Sequence, residues 1–133
     1  MSPDGNQLWT AASEDGTISI IELPTKKLAT KIDARITGAN RLKFAPDGRL
    51  VFISSLRTGE LAIYDAQSRR KVKHLKVGRG AAGILMSPNG TRVFVGSSAD
   101  NYVAVIDVKT LEVTSRIDVG ACAATTVATN PAS

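Results

Sequence analysis

Short apolar runs alternate with turn-forming clusters along the whole chain, and that rhythm predicts strands. Residues 7–13 hold Leu8 and Trp9 and give way to Glu14-Asp15-Gly16, where glycine supplies the positive φ of a tight turn. Residues 17–23 are rich in isoleucine and suit a buried strand, and Pro24, which has no N–H to give a ladder, stops it. Residues 28–34 alternate loosely, Leu28, Thr30 and Ile32 against Ala29, Lys31 and Asp33. The scheme returns at 50–55, 61–65 and 70–77, with turns at Arg57-Thr58-Gly59 and at 66–69. It returns again at 92–97, 102–107 and 112–119, with turns at Ala99-Asp100-Asn101 and around Lys109-Thr110. A further short apolar run stands between the sets, at 42–45, 84–87 and 127–129. No segment carries an apolar stripe at helical spacing.

The recurrence is an internal repeat. Ser2-Pro3-Asp4-Gly5 comes back as Ala45-Pro46-Asp47-Gly48 and as Ser87-Pro88-Asn89-Gly90, with an eroded copy at Asn130-Pro131-Ala132-Ser133. The prolines are spaced by 43, 42 and 43 residues. Glu22, Asp65 and Asp107, each behind an apolar run, keep the same spacing, as do Ile32, Leu75 and Ile117. Three independent markers at one period define units 1–44, 45–86 and 87–129 of a single repeat domain, with 130–133 opening a fourth. Repeats of this length with four short strands each are blades of a β-propeller. The expected fold is therefore all-β, a propeller segment of about three four-stranded antiparallel blades.

Phe94-Val95, then Tyr102-Val103-Ala104-Val105-Ile106-Asp107, then Thr110, Val113, Ile117, Val119 and Gly120 resemble the YVTN family of β-propeller repeats. Ser87-Pro88-Asn89-Gly90 is similar to that family's opening turn, and Ile63-Tyr64-Asp65 with Lys76-Val77-Gly78 extends the resemblance to the second unit. Asp15-Gly16-Thr17-Ile18 and Ile20 give the first unit a faint likeness to a WD40 blade, without that blade's tryptophan–aspartate and glycine–histidine pairs. The resemblance covers essentially the whole chain. It implies a fold, because the motif consists of turn and core residues, and by resemblance an extracytoplasmic location. It implies two functional readings. One is a non-enzymatic binding or scaffold module that presents loops to a protein or a small anionic ligand. The other is a fragment or subunit of a larger propeller enzyme, redox- or haem-associated or lactonase-like.

The repeat is cut in an odd phase. The first unit lacks its own innermost strand, and the run 125–129 forms such a strand with no blade of its own. A propeller needs about four to eight blades to close. Two arrangements answer this: a longer propeller of which this is a fragment, or a homo-oligomer that completes the ring, for instance six blades sealed by exchange of residues 125–129. Met1 fills the slot held by Phe44 and Met86, and reads as an internal residue of a longer chain.

Composition narrows the chemistry. No apolar run approaches a membrane span, and no signal peptide follows Met1. Cys122 and His74 are the only cysteine and histidine, so an internal disulfide, a multi-cysteine metal site and any site needing two histidines are excluded. No metal site, no cofactor and no catalytic group is expected. Asp65 and Asp107 recur with the repeat, as turn caps do. The resemblance raises the question of haem, since haem-binding nitrite reductase propellers are relatives of this repeat, but His74 lies on a charged outer strand. The net charge of +5 is concentrated between Arg41 and Arg79, with ten Lys/Arg against three acids.

In a propeller, the loops entering each innermost strand and the loops between second and third strands share one face. Here that face carries Arg35, Thr37, Asn40, Arg57, Thr58, Arg79, Asp100, Asn101 and Cys122. An anion site centred on Arg35, Arg57 and Arg79, with Arg41 on an innermost strand and Asn101 nearby, is one reading; solvated loop side chains are the other. Lys43 shares the strand of Arg41, and the two charges near the axis either hold a phosphate or line a solvated channel wall. The basic middle also provides an electrostatic footprint for single-stranded DNA. The aromatic residues Trp9, Phe44, Phe52, Tyr64, Phe94 and Tyr102 all fall on core strands, which leaves few platforms for bases.

Overall fold

The computed structural model describes residues 1–119. These hold eleven strands: β1 (Gln7–Ala11), β2 (Thr17–Glu22), β3 (Lys27–Asp33), β4 (Ala39–Phe44), β5 (Leu50–Ser55), β6 (Glu60–Asp65), β7 (Lys71–Lys76), β8 (Ala81–Met86), β9 (Arg92–Ser97), β10 (Tyr102–Asp107) and β11 (Glu112–Asp118). They form three antiparallel meanders in the orders β1-β2-β3, β4-β5-β6-β7 and β8-β9-β10-β11. The fold is a partial β-propeller. The first sheet has three strands because no innermost strand pairs with β1 among the described residues. The expected strand at 125–129 and Cys122 lie outside the described residues.

Two apolar layers hold the sheets face to face, and strand period decides which residue enters which layer. From β5 and β6, Val51, Ile53, Ala62 and Tyr64 turn toward the first sheet, where they meet Trp9, Ile18 and Ile20. The alternate residues Phe52, Leu61 and Ile63 turn toward the third sheet and meet Ile84, Val93, Val95, Ala104 and Ile106. The central sheet, buried on both faces, therefore reads as a continuous apolar run at 61–64. Trp9 and Phe44 pack edge to face, with ring centroids 5.8 Å apart.

The opening turn of each repeat is built identically. The glycine N–H bonds to the carbonyl three residues back, at Gly5–Ser2, Gly48–Ala45 and Gly90–Ser87, each 2.9 Å. Asp4, Asp47 and Asn89 each accept the backbone N–H two residues on, from Asn6, Arg49 and Thr91. This explains why aspartate and asparagine interchange at that position: only the side-chain oxygen is used.

The innermost strands depart from the sequence expectation. The apolar runs 42–45 and 84–87 mark only their second halves; β4 starts at Ala39 and β8 at Ala81. Their first residues, Ala39-Asn40-Arg41 and Ala81-Ala82-Gly83, bury only the small side chains of Ala39 and Ala81 and are otherwise held by ladder hydrogen bonds, and each stretch contains a register shift. The sheets are also one strand out of phase with the repeat units, since β4, at the end of unit 1–44, pairs with β5 of the next. The outermost strand β7 exposes Lys71, Val72, His74 and Lys76 along the sheet edge, where charge discourages edge pairing.

Candidate functional site

The loops 12–16, 34–38, 56–59, 77–80 and 98–101 gather at one end of the inner strands, knitted by backbone hydrogen bonds. Gly38 N–H bonds to Ser13 O at 2.8 Å, Leu56 N–H to Gly38 O at 3.0 Å, Val77 N–H to Gly59 O at 3.0 Å and Ser98 N–H to Gly80 O at 3.0 Å. Each loop that enters an innermost strand is thus threaded between the second-to-third-strand turns of its own sheet and the preceding one. The threading is tight. A Cβ on Gly59 would lie 1.7 Å from Gly78 O, and one on Gly38 would lie 2.4 Å from the Cβ of Arg57.

The structure brings the sequence-predicted residues to this face with different freedom. Arg35 stands at φ 56° and reaches Asp33 at 3.8 Å, with its side chain 88% exposed. Such an exposed pair contributes little. Arg79 is committed to Asp100: its Nε lies 2.6 Å from Oδ1 and its backbone N–H 2.8 Å from Oδ2, and the Ser97 hydroxyl lies 3.3 Å from the same Oδ2. The Arg79 backbone N–H, then its side chain, hold the Asp100 carboxyl below the ordinary aspartate range. Asn101 occupies at φ 59° the place that Gly16 and Gly59 take at φ 72° and 73°, so backbone geometry explains its presence. Arg41, on β4, donates only to the Asn40 carbonyl and side-chain oxygen, at 3.1 and 3.3 Å. Asn40 itself donates to Ala82 O at 2.6 Å and so ties β4 to β8. Arg57 has no ion-pair or hydrogen-bond partner among the described residues.

Arg57, Asn40, Ser13, Gly38 and the half-exposed Leu56 line a cleft of about 470 Å³. Ser13 and Leu56 carry no sequence signal for this cleft; what places them is the backbone threading at Gly38. Lys76, on the edge strand β7, turns its ammonium to the Thr58 carbonyl. Its position as the last residue of β7, directly before the loop, was the available signal.

The opposite end of the sheets carries the repeat turns. A cavity of about 450 Å³ there is lined by Pro46, Asp47, Arg49, Asp65, Asn89 and Lys109 among others. Its carboxylates are engaged. Asp47 accepts the Arg49 N–H at 2.9 Å and Asp65 Oδ1 the N–H groups of Gln67 and Ser68 at 2.9 and 2.8 Å; Asp107, at the repeat position of Asp65 but outside this lining, does the same for Lys109 and Thr110 at 2.8 and 3.0 Å. Those N–H donors, Ser68 and Thr110 foremost, keep the Asp65 and Asp107 carboxyls ionised below the usual range. They are turn caps. Among the described residues no three His, Cys, Asp or Glu side chains stand close enough to hold a metal ion.

Solved structures resemble this chain at the level of the propeller. Hydrazine synthase of Kuenenia stuttgartiensis superposes with a TM-score of 0.86 and 25% identity, over 92% of this chain and 35% of its own. The dihydro-heme d1 dehydrogenase NirN, solved in complex with DHE, gives a TM-score of 0.77 at 24% identity over 88% of this chain and 25% of its own. The WD40 repeats of RRP9 give 0.78 at 17% identity over 88% and 36%. The chain thus spans about a third or less of each of these proteins. No curated protein sequence matches it significantly. The family model described as the cytochrome D1 heme domain matches residues 5–131, nearly the whole sequence, and the chain belongs to that family.

Proposed function

We propose that this chain is part of the propeller domain of a haem-associated enzyme, and that its loop face holds the acid groups of a tetrapyrrole. The family match over residues 5–131 carries the reading. It favours the second of the two functions drawn from the sequence, a piece of a larger propeller enzyme, over a free-standing scaffold. Units 45–86 and 87–129 are read as YVTN-type repeats within that domain.

The described residues suit the acid groups of a haem and not its iron. Arg57 is unpaired and exposed beside a cleft, and Arg41 stands on the innermost strand with only weak tethers to its neighbour. Guanidinium groups so placed match carboxylates in charge and in fork geometry. His74 is the only histidine in the chain, and it lies on the outermost strand β7, away from this face. Haem, when bound, supplies redox and ligand-activating chemistry at its iron. The part assigned to Arg57 and Arg41 is orientation and charge neutralisation.

Quenching of the single tryptophan, Trp9, by added porphyrin tests this. Iron-free protoporphyrin IX is expected to bind as well as its ferric form, and the dimethyl ester not to bind. Replacing both Arg57 and Arg41 by Ala should weaken binding about tenfold, near the upper limit for two exposed ion pairs. Equal quenching by the ester, or no loss in the double variant, would overturn the assignment.

A further inference from the structure

The second and third sheets receive their innermost strands through loops that share three hydrogen bonds. In the third, Ser97 Oγ donates to Arg79 O at 3.1 Å and Ser98 N–H to Gly80 O at 3.0 Å. In the second, Ser55 Oγ donates to Thr37 O at 2.6 Å and Leu56 N–H to Gly38 O at 3.0 Å. The following turns close alike, through Asn101 N–H to Ser97 O at 3.1 Å and Gly59 N–H to Ser55 O at 3.0 Å. These bonds place Thr37 opposite Arg79 and Thr58 opposite Asp100 in the repeat.

Beyond these shared bonds the loops differ, with Ala99 N–H donating to Arg79 O at 3.1 Å in the third sheet and Thr58 N–H to Ser55 Oγ at 3.1 Å in the second, and the largest difference is one group. In the third sheet the Asp100 carboxylate fills the notch between turn and entering loop, taking the Arg79 backbone N–H and its Nε–H, with the Ser97 hydroxyl 3.3 Å away. In the second sheet Thr58 stands there, and no carboxylate faces the Thr37 N–H. The Thr58 hydroxyl is buried without a hydrogen-bond partner, a state that native proteins seldom leave unmet. Positive charge nevertheless remains. Arg57 adjoins Thr58 and is unpaired, and the Lys76 ammonium sits on the Thr58 carbonyl. Glu60 lies opposite Lys76 in the β6–β7 register but forms no ion pair with it or with Arg57.

We infer that an external carboxylate binds in the second sheet where the Asp100 side chain binds in the third. It would accept the Thr37 N–H and the Arg57 guanidinium, and the Thr58 hydroxyl on rotation about χ1. A water molecule could meet the hydroxyl alone, whereas an anion with two acceptor oxygens would meet the hydroxyl and the Arg57 guanidinium together. The carboxylate could be a small free anion or the arm of a larger ligand. The inference rests on the repeat geometry and not on the haem reading.

Acetate is the probe. Titrated at constant ionic strength into the isotope-labelled protein, it should shift the amide resonances of Thr37, Gly38 and Thr58 to saturation. Thr58→Asp, which copies the third sheet, should abolish the response and move the Thr37 amide to its acetate-bound position. Arg57→Ala should weaken the response about threefold. Asp100→Thr should create a second acetate-sensitive amide, at Arg79. A non-saturating shift in the wild type, or an unchanged response in a folded Thr58→Asp protein, would refute the site; should that variant not fold, the outcome with Asp100→Thr decides. Because acetate carries no porphyrin, failure here leaves the quenching experiment standing, and the reverse holds. If the site takes the arm of a larger ligand, saturating acetate should also compete with protoporphyrin; if the two bind together, the site serves a free anion.

Discussion

At the scale of single residues, the polar side chains that recur are those that hold turns, and their charge is incidental to the bond they make. Asp4, Asp47 and Asn89 show this directly, since the asparagine makes the same backbone contact as the two aspartates. Asp65 and Asp107 were legible as caps because they recur, whereas the Asp100–Arg79 clamp was not, because neither residue recurs. The caps make acid sensitivity predictable. Asp65, Asp100 and Asp107 all have lowered folded-state pKa values, so their contribution is fully present above the ordinary aspartate pKa and is lost as pH falls through the lowered values. The melting temperature should be flat near neutrality and fall below about pH 4. Asp65→Asn should leave Tm at pH 7 nearly unchanged and make the acid limb shallower, while Asp65→Ala should lower Tm at both. An Asp65→Asn protein with the wild-type acid limb would show that the carboxylate does not cap in its charged form.

At the scale of elements, the alternation of apolar runs and turns located the strands and missed the starts of the two innermost ones, β4 and β8, whose first residues are small or polar. The first halves of β4 and β8 carry alanine, glycine, asparagine and arginine, and their pairing comes from main-chain ladders that side-chain hydropathy does not encode. Their position depends on how closely the entry loops thread past the neighbouring turns, and glycine permits that approach. Two glycines with the same backbone separate the two effects. Gly59, at φ 73°, has Gly78 O where its Cβ would be, whereas Gly5, at φ 76°, has nothing within 4 Å. Gly5→Ala should cost only the left-handed conformation, about 1 kcal/mol. Gly59→Ala should cost on the order of 3 kcal/mol or more, because the loop must also move. Urea unfolding of the two variants measures the difference. Equal losses would mean that the loop at 77–80 yields freely, and that the threading does not define the ligand face.

At the scale of the molecule, the repeat made the architecture legible because every blade must present the same two faces to its neighbours. The ligand was hardly legible, because the residues that distinguish the face are those that break the repeat: Arg57, Thr58, Arg41 and Asn40. The same logic identifies what the described sheets leave open. Leu8, Ile21 and Leu28 are cross-strand neighbours on the face of the first sheet turned away from the second, and Leu28 is 60% exposed. The edge of β1, which in the other sheets carries an innermost strand, has no strand on it among the described residues. An unpaired edge beside an apolar face is a template for another chain. The 133-residue chain in solution is therefore expected to show, by light scattering, a mass above its own 14.0 kDa that rises with concentration. Leu8→Lys with Ile21→Lys should return it to the monomer mass while circular dichroism keeps its β signature, because neither side chain belongs to the two apolar layers between sheets. A wild-type chain that stays monomeric and folded throughout the concentration range would rule out ring completion by copies of itself and would leave the further blades of a longer chain to cover that face.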